Sequence, residues 1–214
     1  MGFCKTKKSL WLCAAIFATL LISCGPQRAE TVTKTQEPTD AEVQPNVTTA
    51  SATALLPTET SMPFTLTSPK IEEGGVIPRD FACTGANKSP QLDWTAPPSG
   101  TQSFAIVFND PDAGSHGFVH WVVYNIPGDA RSLPAEISVA PEIPSGGVQG
   151  SNSWERMDYG GPCPPEGSTH NYVFTLYALD ALLELEPGAT KAELEEAMRV
   201  HVLAKATLTA SFSR

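Results

Sequence analysis

Three apolar runs constrain the fold more than any other feature: "SFAIVFND" from Ser103, "GFVHWVVYNIP" from Gly117 and "NYVFTLYALD" from Asn171. Each is rich in β-branched and aromatic residues, has the length of a strand, and ends on a proline or an acidic turn. Clusters of turn residues separate them, "APPSG", "DAGSHG", "PSGG" and "CPPEG". Alternation in "FTLTS" from Phe64 and in "ATLTASF" near the C-terminus predicts two more strands. One helix is well signalled. Thr190 and Glu193 form a capping box, and Leu194, Ala197, Met198, His201, Val202 and Lys205 then share one helical face. The acidic stretch "ALDALLELEPG" before Gly188 predicts a further short helical turn. The fold class is therefore mainly β, a β-rich α+β domain with one or two helices packed on a sheet. The connections between Pro127 and Thr169 are long, and loops of that length are usually functional.

The N-terminal residues follow different rules. Lys5, Lys7 and Lys8 precede an apolar run from Leu10 to Ile22 that is too short for a comfortable membrane span and has the shape of a secretory signal. It ends in "LISC", which resembles the lipobox of bacterial lipoproteins and implies cleavage before Cys24 with lipid on its thiol; an uncut signal anchor is the alternative. Gly25 follows, not Asp, so nothing marks retention at the inner membrane. The reading is an exported, lipid-anchored protein of the bacterial cell envelope, at the outer rather than the inner membrane. Residues 25–62 are rich in Thr, Pro, Glu and Ala and lack aromatics, so they read as a flexible tether. The organisation is thus 1–23 signal peptide, 24–62 lipidated cysteine and tether, and 63–214 a single folded domain.

Charge narrows the partners. The chain of 214 residues carries 14 Lys and Arg against 23 Asp and Glu. Loss of the signal removes three lysines and no acid, leaving eleven against 23, a net −12. That balance argues against nucleic acid, which is bound through Lys and Arg that displace counterions. Of five cysteines, Cys4 and Cys13 leave with the signal and Cys24 takes the lipid. Cys83 and Cys163 remain, an even pair in an oxidising compartment. A disulfide is the natural reading, with two thiols that never meet as the alternative.

Several polar residues stand in or beside the apolar runs. Asp110 and Asp112 flank Pro111 at the end of one strand, a sharp preset corner. His120 interrupts "FVHWVVY", where simple alternation sets it on one face with Val122 and Tyr124, opposite Trp121 and Val123. His170 and Tyr172 differ by two and share a face. Gly160, Gly161 and Pro162 precede them in "DYGGPCPPEGSTH", where bare glycine backbone suits an anion nest and prolines stiffen the loop. Taken singly, each histidine fits a core or loop residue satisfied by one backbone group.

Together these segments carry a resemblance. "NDPDAGSHGFVHWVVYNIP" followed by "GSNSWERMDYGGPCPPEGSTHNYVFTLYALD" resembles the phosphatidylethanolamine-binding protein family, in its bacterial Raf-kinase-inhibitor-like (YbhB/YbcL-type) branch. The likeness runs from about Phe64 to Phe212. It implies one β-rich domain of two antiparallel sheets with peripheral helices, and a small anion-binding pocket at one end. Asp110, His120, His170 and Tyr172 would line that pocket, Asp112 would support its corner, and Gly160, Gly161 and Pro162 would form its loop. The implied ligand is a phosphate- or carboxylate-type group, such as a phospholipid headgroup, bound without catalysis, cofactor or metal. The insertion of the eukaryotic relatives is absent, so their kinase partners are not implied.

Other readings stay open on residues alone. Cys163 near His170 is compatible with a thiol hydrolase. Asp110, Asp112, His120 and His170 are compatible with a metal-dependent one. A protein-interaction or inhibitor module with an incidental pocket, and a homodimer, are compatible with a tethered domain.

Overall fold

The structure is a computed structural model that describes residues 62–214. The signal, Cys24 and the tether lie outside the described residues.

The strands are β1 (Leu66–Thr67), β2 (Leu92–Trp94), β3 (Ser103–Asp110), β4 (Phe118–Pro127), β5 (Ser132–Leu133), β6 (Val148–Gln149), β7 (Thr169–Leu179) and β8 (Val202–Ser213). They form a three-stranded sheet, β1-β2-β5, and a five-stranded one, β6-β4-β3-β7-β8, whose ladders are all antiparallel. Among the described residues, one α-helix, α1 (Lys191–Met198), and a single 3₁₀ turn at Arg79–Phe81 complete the elements. The mainly β fold with two antiparallel sheets is thus observed.

The large sheet is covered on both faces, which is why its central strands read as nearly continuous apolar runs. Phe104, Ile106 and Phe108 of β3 and Phe174 and Leu176 of β7 pack with Leu92, Trp94 and Leu133 of the small sheet. On the opposite face Ala105 and Val107 meet Val122 and Tyr124 of β4 and Leu194 and Met198 of α1. The capping box forms as expected: Thr190 accepts from the Glu193 N–H, and the Glu193 carboxylate accepts from the Thr190 N–H.

Two helical expectations are corrected. The periodicity carries the helix to Lys205, but α1 stops at Met198, and Val202 and Lys205 belong to β8. The ladder to β7 decides this, pairing Leu179 with Val202 and Tyr177 with Lys205, and long-range pairing outweighs local helical spacing. The segment before Gly188 forms no helix either. Its backbone is clamped by β4: Asn125 accepts from the Leu183 N–H and donates to the Leu183 carbonyl, and the Tyr124 hydroxyl donates to the Glu186 carbonyl. Alternation from Phe64 produces a strand only at Leu66–Thr67.

Candidate functional site

Three strand ends meet at one edge of the large sheet: the C-terminal end of β3 and the N-terminal ends of β4 and β7. Asp110 faces Phe118 across β3–β4, and Asn109 faces Val173 across β3–β7. His170 and Asp110 are thereby adjacent, with Nδ1 2.7 Å from Oδ2. Because a carboxylate accepts, Nδ1 carries the proton and Nε2 is the ring atom left for other partners. Oδ1 of Asp110 accepts from the Asp112 N–H at 2.9 Å. Oδ2 of Asp112 in turn accepts from Asn171 at its backbone N–H (2.7 Å) and its side-chain amide (3.1 Å). The Asp-Pro-Asp corner is therefore fastened to β7 by both carboxylates.

His120 arrives by a break in the pairing. Val119 pairs with Asn109 and Trp121 with Phe108, so His120 is an extra residue in β4. Such a bulge re-aims side chains. Alternation set His120 with Val122 and Tyr124; this is corrected. Those two pack under α1, whereas the His120 ring lies 5.3 Å from both Phe108 and Tyr172, on the same face as Trp121. Trp121 is wholly buried in the core. His120 is only 3% exposed, and its Nδ1 donates to the Gly160 carbonyl at 2.8 Å. Burial pushes its pKa below the ordinary histidine value, against the smaller raising effects of the Gly160 carbonyl and the Asp110 charge. The neutral ring then presents Nε2 as an acceptor.

These groups open onto a cleft of about 630 Å³, within the range of small-ligand sites. Asp110, His120 and His170 are its chemically active lining. Phe118 and Trp154 supply aromatic surface, Pro164 and Pro165 rigid apolar surface, and Asp112 to Gly114 an edge. No Lys or Arg lines it. Arg156, the nearest cation in sequence, lies over the Trp154 ring and pairs with Asp158.

Tyr172 and the glycine loop sit elsewhere than expected. Tyr172 is wholly buried behind the two histidine rings, and its hydroxyl is buried without a hydrogen-bond partner. Burial, and then the nearby Asp110 charge, push the phenol pKa well up, so it stays protonated as a donor. Gly160, Gly161 and Pro162 do not line the cleft, and the anion nest is corrected. The Gly160 N–H donates to the His120 carbonyl and the Gly161 N–H to Asn87 Oδ1, so both donors are committed. The glycines answer to packing: a Cβ would stand 2.1 Å from the Trp154 ring at Gly160 and 2.2 Å from the Phe81 carbonyl oxygen at Gly161. Pro162 accepts from the Cys83 N–H through its carbonyl.

Cys83 and Cys163 are joined in a disulfide, with Cα atoms 5.5 Å apart and a sequence separation of 80. The bridge leaves no thiol on Cys163 to pair with His170. Among the described residues no group of three or more His, Cys, Asp or Glu side chains is arranged as a metal site. No helix among them is long and apolar enough to cross a membrane.

Trp154 and Phe118 are the aromatic lining residues that sequence reasoning missed, along with Ala113 and Gly114 at the edge. A tryptophan in the polar loop "GSNSWERMDYGG" was the available signal, since a large aromatic outside any apolar run calls for a reason.

The family model for phosphatidylethanolamine-binding protein matches residues 67–213. A UPF0098 protein of Methanothermobacter thermautotrophicus is 46% identical over 140 residues, 65% of this chain and 92% of that protein. LppC of Mycobacterium tuberculosis, a protein named as a lipoprotein, is 39% identical over 170 residues, 78% of this chain and 80% of that one. Among solved structures, Escherichia coli YbcL, described as a member of the mammalian PEBP family, aligns with a TM-score of 0.65 and 32% identity, covering 71% of this chain and 98% of its own. Fold, motif order and these likenesses agree: the chain belongs to the phosphatidylethanolamine-binding protein family.

Proposed function

We propose that the cleft reversibly binds a small ligand through a phosphate- or carboxylate-type group, a phospholipid headgroup or other phosphoester, in a protein anchored to the cell envelope through lipid on Cys24. The observation that carries this reading is the convergence of Asp110, His120 and His170 in a mostly apolar cleft that Lys and Arg do not line. A dianion would face the Asp110 carboxylate and the lone pair of a neutral His120. A monoprotonated phosphoester removes the second conflict and carries one charge fewer toward Asp110. Its O–H donates to His120 Nε2 and another oxygen takes the Tyr172 hydroxyl as donor, while His170, whose Nδ1 proton is held by Asp110, presents Nε2 as a further acceptor. Binding without turnover suits this set, since the disulfide holds the one sulfur in the cleft. The match to LppC over 170 residues, more than the span of the family model, supports the envelope anchor.

Calorimetric titration of the full-length chain with inorganic phosphate and with O-phosphorylethanolamine tests the ligand. The expected dissociation constant is about 10 μM to 1 mM, weakened at least severalfold by His120→Ala. Equal affinity in wild type and variant would sink the reading. For the anchor, Cys24→Ser should move the protein from the membrane to the soluble fraction of a producing cell.

A further inference from the structure

One buried polar side chain next to the cleft takes no part in the chemistry above. Asn152 follows β6, is 5% exposed, and has every hydrogen-bonding group engaged within the next six residues. Its Oδ1 accepts from the backbone N–H of Trp154 (3.0 Å) and of Arg156 (3.1 Å). Its Nδ2 donates to the backbone carbonyl and to Oδ1 of Asp158, both at 3.0 Å. Its own N–H donates to the Arg156 carbonyl, and its carbonyl accepts from the Glu155 N–H. Glu155 completes the closed turn in the left-handed region, at φ 59°. At the tip stands Trp154, edge-on to Phe118 at 4.6 Å and to His120 at 5.1 Å.

The indole is 39% exposed, so burial alone does not hold it. The turn around Asn152 does, with Arg156 over its ring and a bare Gly160 leaving room beneath it. We infer that Asn152 is a positioning residue for ligand recognition: it holds the Trp154 ring against His120 as a wall of the cleft, and so sets the size of group that the cleft admits. This role rests on the cleft being the ligand site. The turn requires an amide, because it uses both the acceptor and the two donors of that one side chain. Aspartate would still accept from Trp154 and Arg156, but would set a carboxylate oxygen against the carboxylate and carbonyl of Asp158.

The experiment compares wild type, Asn152→Asp, and the exchange Asn152→Asp with Asp158→Asn, all as full-length chains. The exchange restores a donor facing an acceptor between the two side chains at unchanged total charge, while the Asp158 carbonyl keeps its oxygen neighbour and Arg156 loses its carboxylate partner. Two quantities are read: the His120 ring resonances of the ligand-free protein at fixed pH, and the affinity for inorganic phosphate. Asp110, His170 and Tyr172, which face that ring, are the same in all three chains, and the exchange, which keeps the wild-type total charge, separates a moved indole from the added charge of Asn152→Asp. Asn152→Asp should displace the His120 resonances and weaken phosphate roughly five- to tenfold. The exchange should return both toward wild type. Unchanged resonances and affinity in Asn152→Asp overturn the inference. So does global unfolding that the exchange leaves unrescued, because Asn152 would then serve the whole fold and not this wall. Absence of phosphate binding in the wild type overturns the ligand reading, and this role with it.

Discussion

His120 couples the cleft to pH in two ways with opposite signs. For stability, its pKa in the folded chain lies below the ordinary value of 6.5, so the unfolded chain takes up the proton first. The contribution of the buried neutral ring is therefore complete above about pH 6.5 and is lost as pH falls from there through the folded pKa. Urea unfolding without phosphate, followed from about pH 7.5 to 5.5, should show this loss, and His120→Gln should flatten it. Ligand affinity should move the other way. Above the second pKa of a phosphate monoester such as O-phosphorylethanolamine, near 6, a complex that holds one shared proton must take it from solution, so affinity for it rises by up to about tenfold per unit of falling pH. Calorimetry in buffers of different ionisation enthalpy reads that uptake directly, as close to one proton. Tyr172 offers a sharper separation of folding from binding. Its hydroxyl is buried without a partner, so Tyr172→Phe should leave stability unchanged or raise it by up to about 1 kcal/mol. The same change should weaken phosphate, because it deletes a donor that the proposed site assigns to the ligand. Urea midpoints and titration on one preparation decide both.

Among the elements, the loop from Tyr159 to Pro165 is fixed by contact, not by ligand. Gly161→Ala would drive a methyl to 2.2 Å from the Phe81 carbonyl oxygen. The expected destabilisation is about 1–3 kcal/mol, read from denaturation midpoints. The sequence announced this loop as rigid but assigned its glycines to an oxyanion, because motif order says where backbone is bare and not what fills the space above it. β3, β4 and β7 were legible almost to the residue, since both of their faces are covered and their composition says so. The end of α1 was not. Helical spacing continued through His201 and Val202, and only the partner strand, distant in sequence, decides that Val202 begins β8. The face of His120 escaped for a related reason: alternation holds only while pairing is regular, and a bulge leaves no mark in a single strand's composition.

Across the molecule, the Cys83–Cys163 bridge ties the loop at the cleft to the segment after the 3₁₀ turn. Replacing both cysteines with serine should lower unfolding free energy by up to about 4 kcal/mol on chain-entropy grounds. It should also reduce phosphate affinity by freeing Pro164 and Pro165; calorimetry and denaturation of the double variant measure the two effects. The convergence of Asp110, His120 and His170 was implied by the family resemblance, since strand alternation alone set His120 on the other face. Phe118 and Trp154 close the cleft from the first residue of β4 and from a loop, whose approach no periodicity reports. The misfit in β4 has a last consequence. Shortening the chain by one position there, at Val119, would give a hairpin with better backbone registry than the natural one. The His120 imidazole would then turn toward the helical side of the sheet, leaving the cleft with His170 and Asp110 but without its second ring. A single surplus amino acid is thus what brings two imidazoles into one cleft.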